Sequence, residues 1–81
     1  MAKAQHATRY RPLPPLPRRM RQSSRLTQRQ LASKLRMSNV AVHKSETGDR
    51  RVDLAEFVDW CIACGADPVE SVKAFCRMRG V

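Results

Sequence analysis

The stretch from Asn39 to Thr47 contains the combination of side chains that most strongly indicates a binding function in this sequence. If it is a helix, its outward face presents an amide, a small apolar group, an imidazole and an ammonium, with a single acid near its end. Such groups can hydrogen-bond to the edges of base pairs, and a face nearly free of acid is not repelled by phosphate. The candidate base-contacting residues are Asn39, Val40, His43 and Lys44. For any one of them, an ordinary solvated surface position is the alternative.

The charge of the chain is distributed unevenly. Its 81 residues have a formal net charge of +9 at pH 7. Residues 1–30 contain eight Lys or Arg and no acid, whereas residues 53–81 contain three bases and five acids. This asymmetry favours a polyanion bound by the N-terminal part over a general excess of solubilising charge.

Size and composition exclude several classes of protein. One small domain with 42% hydrophobic residues can form a modest core, but not a buried catalytic cavity beside it. No apolar run approaches the roughly 20 residues that span a bilayer, and the basic N-terminus lacks the apolar core of a secretory signal. We therefore expect a cytoplasmic protein that is not an enzyme and binds no cofactor, metal or membrane.

The three cysteines, Cys61, Cys64 and Cys76, are an odd number without a secretion signal, which argues against a disulfide framework. The spacing of Cys61 and Cys64 also fits a redox or metal pair. However, there is no second cysteine pair, and His6 and His43 lie elsewhere in the chain. We expect the thiols to pack in the core.

The hydrophobic pattern predicts an all-α protein without internal repeats. Capping boxes are expected at Thr27 with Gln30 and at Asp53 with Glu56, and a glycine ends the third helix. Two of these helices are about eight residues long and lie a short turn apart, so they need a surrounding bundle to be stable. The predicted helices cover residues 17–24, 28–35, 39–47, 54–64 and 68–78.

Residues 1–16 are expected to form a basic, Pro-rich arm ahead of a domain at residues 17–81. Four prolines between Arg11 and Pro17 favour polyproline II and also match a PxxP ligand, a short match that the rest of the chain does not support. Leu13 and Leu16 are expected to fold back on the domain. The arm either contacts nucleic acid or only raises local affinity.

The apolar residues of the predicted helices are more numerous than the core of the bundle requires. The expected inward residues are Met20, Leu31, Ala32, Leu35, Val42, Leu54, Phe57, Cys61 and Cys64, with Trp60 beside them. The last two helices contain more apolar residues than so small a bundle needs. Either core packing or a homodimer interface accounts for Trp60, Ile62, Val69, Val72 and Phe75.

Three segments resemble the lambda repressor-like (Cro/XRE) helix-turn-helix family, over about residues 18–76. They are LTQRQLASKL at Leu26–Leu35, MSNVAVHKSETG at Met37–Gly48 and FVDWCIACGADP at Phe57–Pro68. The resemblance implies a compact bundle of four to five short helices with a central helix-turn-helix, whose second helix, residues 39–47, lies in the major groove. Arg36 departs from the glycine that is frequent in the turn, and Ala41 and Ser45 stand where bulkier residues are usual.

The resemblance also assigns roles to residues outside the base-contacting set. Arg21 matches a helix-one arginine that pairs with the residue found here as Glu46, so a structural ion pair is implied. Gln28 matches a phosphate-contacting position, with helix capping as the alternative. Arg50 and Arg51 match a loop that lies against the DNA backbone, with free solvation as the alternative. The expected phosphate-contacting residues are Thr27, Gln28, Ser38, Thr47, Arg50, Arg51 and Arg21.

The function implied by the resemblance is sequence-specific transcriptional regulation in a bacterium or phage. We expect a repressor that binds a palindromic operator in double-stranded DNA as a homodimer through its C-terminal helices. The alternative is an antitoxin-like protein that binds a toxin partner and its own promoter. A thiol-redox protein is a third hypothesis, and RNA binding is disfavoured because no stacking aromatic residues accompany the basic stretch.

Overall fold

The computed structural model describes residues 15–80, which form five helices and no strand. The predicted all-α class is confirmed, and the bounds of α2 and α3 match the prediction. Most of the predicted arm, with Leu13 and the cations before it, lies outside the described residues. No helix within residues 15–80 is long and apolar enough to cross a membrane. The helices are α1 (Pro15–Ser23), α2 (Gln28–Leu35), α3 (Asn39–Thr47), α4 (Leu54–Ala63) and α5 (Pro68–Arg79).

Helix α1 begins at Pro15 and contains Pro17 in its first turn. The N–H groups of a first turn have no partner within the helix, so proline loses no hydrogen bond there. Pro17 is fully buried, and its carbonyl oxygen accepts a hydrogen bond of 3.1 Å from Nε1 of Trp60. Leu16 is also buried, against Val52 and Phe57, so it packs on the domain as expected.

The core consists of two buried clusters that Met20 of α1 joins, since it packs against both. One cluster lies between α2, α3 and α4, and the other between α1, the α3–α4 loop and α4. Helix α2 packs on α3 and α4, and α3 packs on α1 and α2, which gives these two short helices the tertiary support that they need. The first cluster contains Leu31, Ala32, Val42 and Trp60, and the second contains Leu16, Val52, Phe57 and Cys61.

One residue of α4 that was predicted to face inward, the first residue of the helix, does not do so. Leu54 is 71% exposed, whereas Phe57 and Cys61 are buried as expected. Leu54 opens the helix, so it lies at the rim of the core and lines a surface groove with Phe57 and Val72. Trp60, expected beside the stripe, has no exposed surface and occupies the centre of the core.

The apolar residues for which the sequence left two interpretations divide between core and surface. Phe75 packs against the core together with Ala74, and no residue of α5 is fully buried. Ile62, Val69 and Val72 remain exposed. The outer side of α4 and α5 therefore presents an apolar surface.

The cysteines are free thiols. Cys61 lies in the core with its sulfur 3.7 Å from Sδ of Met20, while Cys64 and Cys76 are half-buried. Burial raises the pKa of the Cys61 and Cys64 thiols above 9.0, which disfavours the thiolate needed for redox or metal chemistry. Among the described residues, no group of three His, Cys, Asp or Glu is placed to hold a metal ion.

Arg50 fixes the loop between α3 and α4. Its Nη1 and Nη2 donate to Oε1 and Oε2 of Glu56 at 3.0 and 2.6 Å, and Nη1 also lies 3.2 Å from Oγ of Ser45. Its backbone N–H donates to the carbonyl of Lys44 at 3.1 Å, which satisfies a group at the end of α3. The sequence offered phosphate contact or free solvation for Arg50, and the structure excludes free solvation. The bidentate pair with Glu56 was not predicted.

Ser45, where a bulkier residue is usual, is fully buried on α3. Its Oγ donates to the carbonyl of Ala41 at 2.8 Å and accepts from Arg50. The guanidinium of Arg50 thus lies beside this small residue. Among the described residues, no buried side-chain polar atom lacks a hydrogen-bond partner.

The ion pair predicts a pH-dependent effect of Glu56→Gln. The guanidinium of Arg50 lowers the pKa of Glu56 below 4.5, so the pair stabilises the fold fully above that pH and is lost as the pH falls through the lowered pKa. Because both side chains are about a third exposed, the wild type should be more stable than the variant by only about 0.5–1 kcal/mol at pH 7. Urea unfolding between pH 7 and pH 3 measures this difference. A difference that does not shrink at low pH would contradict the account.

Candidate nucleic-acid interface

Helix α3 has one buried side and one exposed side. The buried residues are Val42, Ser45 and Glu46, and the helix as a whole packs on α1 and α2. The exposed residues are Asn39, Val40, His43, Lys44 and Thr47. The four predicted base-contacting residues therefore share one accessible face, on which Val40 is 59% exposed.

Side-chain caps define the beginnings of α2 and α3. Oγ1 of Thr27 accepts from the N–H of Gln30 at 3.0 Å, and the side chain of Gln30 accepts from the N–H of Thr27 at 2.9 Å. Oγ of Ser38 accepts from the N–H of Ala41 at 3.0 Å. Both caps are exposed, so the positive ends of the two helix dipoles face solvent where an anion could approach.

The turn between α2 and α3 passes through Arg36 in the left-handed conformation, with φ of 56°. The following residue, Met37, donates its N–H to the carbonyl of Ala32 at 3.0 Å, a hydrogen bond typical of such helix ends. A side chain in this conformation costs about 1 kcal/mol relative to glycine. The departure from glycine is thus tolerated, and the Arg36 side chain is exposed.

The ion pair implied by the resemblance is formed, and it is buried. The side chain of Glu46 is only 2% exposed and that of Arg21 13%. Nε and Nη2 of Arg21 donate to Oε2 and Oε1 of Glu46 at 2.6 and 3.0 Å. Nη1 of Arg21 donates to the carbonyl of Leu26 at 2.9 Å, which holds the loop before α2. The pair therefore connects α1 to α3.

Gln28 adds α2 to this network. Its Nε2 donates to Oε1 of Glu46 at 3.0 Å and lies 3.3 Å from Nδ1 of His43. The sequence offered phosphate contact or capping for Gln28, and neither describes this contact. One signal was available: a carboxylate buried on a cationic helix has more acceptor sites than one arginine fills. Nothing in the spacing pointed to Gln28 as the second donor.

The remaining predicted phosphate contacts lie at the C-terminal end of α3 and in the loop after it. Thr47 is exposed, and its Oγ1 donates to the carbonyl of Lys44 at 3.1 Å and to Oδ2 of Asp49 at 3.2 Å. Arg51 is exposed, and the guanidinium of Arg50 binds Glu56.

The buried pair predicts a large effect of Glu46→Gln on stability. The substitution leaves the guanidinium of Arg21 in a mostly buried place without its anion, which should cost about 3 kcal/mol. The control is Asp59→Asn, which neutralises an exposed carboxylate on α4 and should change stability by less than about 0.5 kcal/mol. Chemical denaturation at pH 7 measures both. Equal small effects would show that the buried pair does not hold the helices together.

Comparison with known proteins places this geometry in a family. Residues 18–74 match a family model described as a helix-turn-helix domain, an interval that extends from α1 into α5. The chain is also similar to a solved structure, an XRE-family like protein from Pseudomonas syringae pv. tomato str. DC3000. The two share 34% sequence identity with a TM-score of 0.80, over 90% of this chain and 89% of that one. No curated protein was matched. With α2 and α3 joined by a tight turn and α3 exposed, the chain belongs to the Cro/XRE-like family of helix-turn-helix DNA-binding domains.

Proposed function

We propose that this DNA-binding regulator places α3 in the major groove and reads base edges with Asn39, Val40, His43 and Lys44. The observation that supports this most is the exposed face of α3, whose opposite side is fixed by the buried carboxylate of Glu46. The major groove is wide enough for an α-helix, and each base pair presents a distinct set of donors and acceptors there.

Phosphate contacts are proposed at the two capped helix ends and in the loop after α3. Thr27 and Ser38 cap helices whose first N–H groups remain available to an anion. Thr47 and Arg51 are exposed beyond the other end of α3. For Arg21 and Arg50, whose guanidinium groups bind Glu46 and Glu56, the phosphate contacts expected from the sequence also remain a proposal.

A repressor that binds a palindromic operator as a homodimer is the form of this function that we favour. The outer side of α4 and α5 has an apolar groove lined by Val58, Val69, Val72 and Cys76, with cations at its edge. A two-fold interface must be self-complementary. Two α5 helices packed antiparallel would meet this requirement, because Glu70 near the start of one lies opposite Arg77 near the end of the other.

A toxin is the other occupant that the sequence suggested for this surface. The same apolar groove would receive an apolar helix of a partner protein, as an antitoxin-like function requires. The acid-to-base order along α5 favours a second copy of the chain, because self-pairing uses both charges. We therefore propose the homodimer ahead of the toxin complex.

Two alanine substitutions test the assignment of DNA contacts. A duplex selected from genomic fragments should bind Lys44→Ala more weakly by about 1–3 kcal/mol, with relaxed preference at one base position. Arg51→Ala should weaken all duplexes alike and lower the salt dependence of log K by about one unit. The control is Arg79→Ala at the end of α5, which should leave binding unchanged. Equal effects of Lys44→Ala on every duplex would contradict base reading by α3.

A charge exchange tests the antiparallel dimer. Glu70→Arg alone should weaken self-association, because it sets two cations against each other, and Glu70→Arg combined with Arg77→Glu should restore it. Sedimentation equilibrium of the variants measures the dissociation constant, with circular dichroism confirming that each is folded. If the double variant associates no better than the single one, α5 does not pair in this way.

A further inference from the structure

The amide nitrogen of Gln28 lies within hydrogen-bond distance of two groups of the protein. Nε2 donates to Oε1 of Glu46 at 3.0 Å and lies 3.3 Å from Nδ1 of His43. A half-turn of the amide would set its oxygen against a carboxylate oxygen, which is repulsive, so Glu46 fixes the orientation of Gln28. Glu46 is itself held by the bidentate contact with Arg21.

The fixed amide determines which nitrogen of the His43 ring has the proton. A nitrogen that faces an N–H group accepts a hydrogen bond only if it is unprotonated. Nδ1 of His43 is therefore the acceptor, and the proton of the neutral ring is on Nε2. Because the ring lies on the exposed face of α3, it offers the partner molecule a hydrogen-bond donor and no acceptor.

We propose that His43 is a hydrogen-bond donor to DNA and that Arg21, Glu46 and Gln28 set this role by fixing its tautomer. The proposal rests on the proposed function. The ligand is an acceptor atom of DNA, either on a base edge, such as N7 or O6 of guanine or O4 of thymine, or on a phosphate. The amino groups of adenine and cytosine are excluded as targets.

The same geometry changes the role of Gln28. With its Nε2 group directed to Glu46 and His43, the only other polar atom of the Gln28 side chain is its carbonyl oxygen, which a phosphate would repel. Gln28 is thus a positioning residue that acts through His43, and a phosphate near the start of α2 would meet backbone N–H groups instead.

The tautomer is measurable in the free protein. Long-range ¹H–¹⁵N correlation spectra at pH 8 report the protonation of each ring nitrogen, with His43 identified by loss of its signals in His43→Ala. Gln28→Met keeps the length of the side chain and lacks the amide, so the ratio of Nε2–H to Nδ1–H tautomer should fall about two- to tenfold, the range for one net hydrogen bond. Gln28→Ala serves as a second variant should the first not fold.

The matched control is Gln30→Met on the same helix. Gln30 accepts from the N–H of Thr27 and makes no contact with His43, so its substitution should leave the tautomer ratio as in the wild type. If Gln28→Met and Gln28→Ala also keep the wild-type ratio, the proposal is overturned.

Binding to DNA distinguishes the two sources of the acceptor. If it lies on a base, His43→Ala should reduce discrimination about tenfold at one position of a selected duplex, and Gln28→Met should relax the same position by less. If it lies on a phosphate, both variants should weaken all duplexes alike. Wild-type affinity of His43→Ala for every duplex would refute the donor role. If even the wild type prefers no duplex, the proposed function fails, and the tautomer ratio still decides whether the network acts on His43.

Discussion

A buried carboxylate, that of Glu46, determines how the N-terminal helices are arranged. Burying a charge costs several kcal/mol unless opposite charge and hydrogen bonds surround it, so few arrangements of the neighbouring helices are possible. Here α1 supplies the guanidinium of Arg21 and α2 the amide of Gln28, and all three donor contacts converge on one side chain of α3. The orientation of α3 is therefore specified by electrostatics as well as by the packing of Val42. A helix that is to contact base edges needs such a fixed support.

The C-terminal half of the molecule supports α3 from the other side. Trp60 of α4 fills the centre of the core and hydrogen-bonds to the first turn of α1, so α4 holds α1 and the helix-turn-helix together. Arg50 connects the end of α3 to α4 through Glu56 and Ser45. The exposed side of α4 and α5 takes no part in this support. Positive charge on one part of the chain and apolar surface on the other are consistent with the proposed homodimer bound to DNA.

The order of the helices and the bounds of α2 and α3 could be predicted because local rules determine them. Capping residues such as Thr27 and Asp53, and glycines after helices, act over three or four residues and are visible in the sequence. The polar network was only partly predictable. Gln28 and Glu46 are 18 positions apart, and no periodicity relates them. The exposure of Leu54 was missed for a related reason: helical spacing identifies a stripe, but only the neighbouring helices determine how much of the stripe they cover.

The central claim is that the exposed face of α3, held by Glu46, lies against paired bases. Titration of the ¹⁵N-labelled protein with a selected duplex, followed by amide and side-chain chemical shifts, tests it most directly. The account predicts that the largest changes fall on α3 and on the N-terminal turn of α2, together with protection of the Asn39 side-chain amide from solvent exchange. Changes confined to α4 and α5, or an α3 whose signals do not move when the duplex is bound, would contradict it.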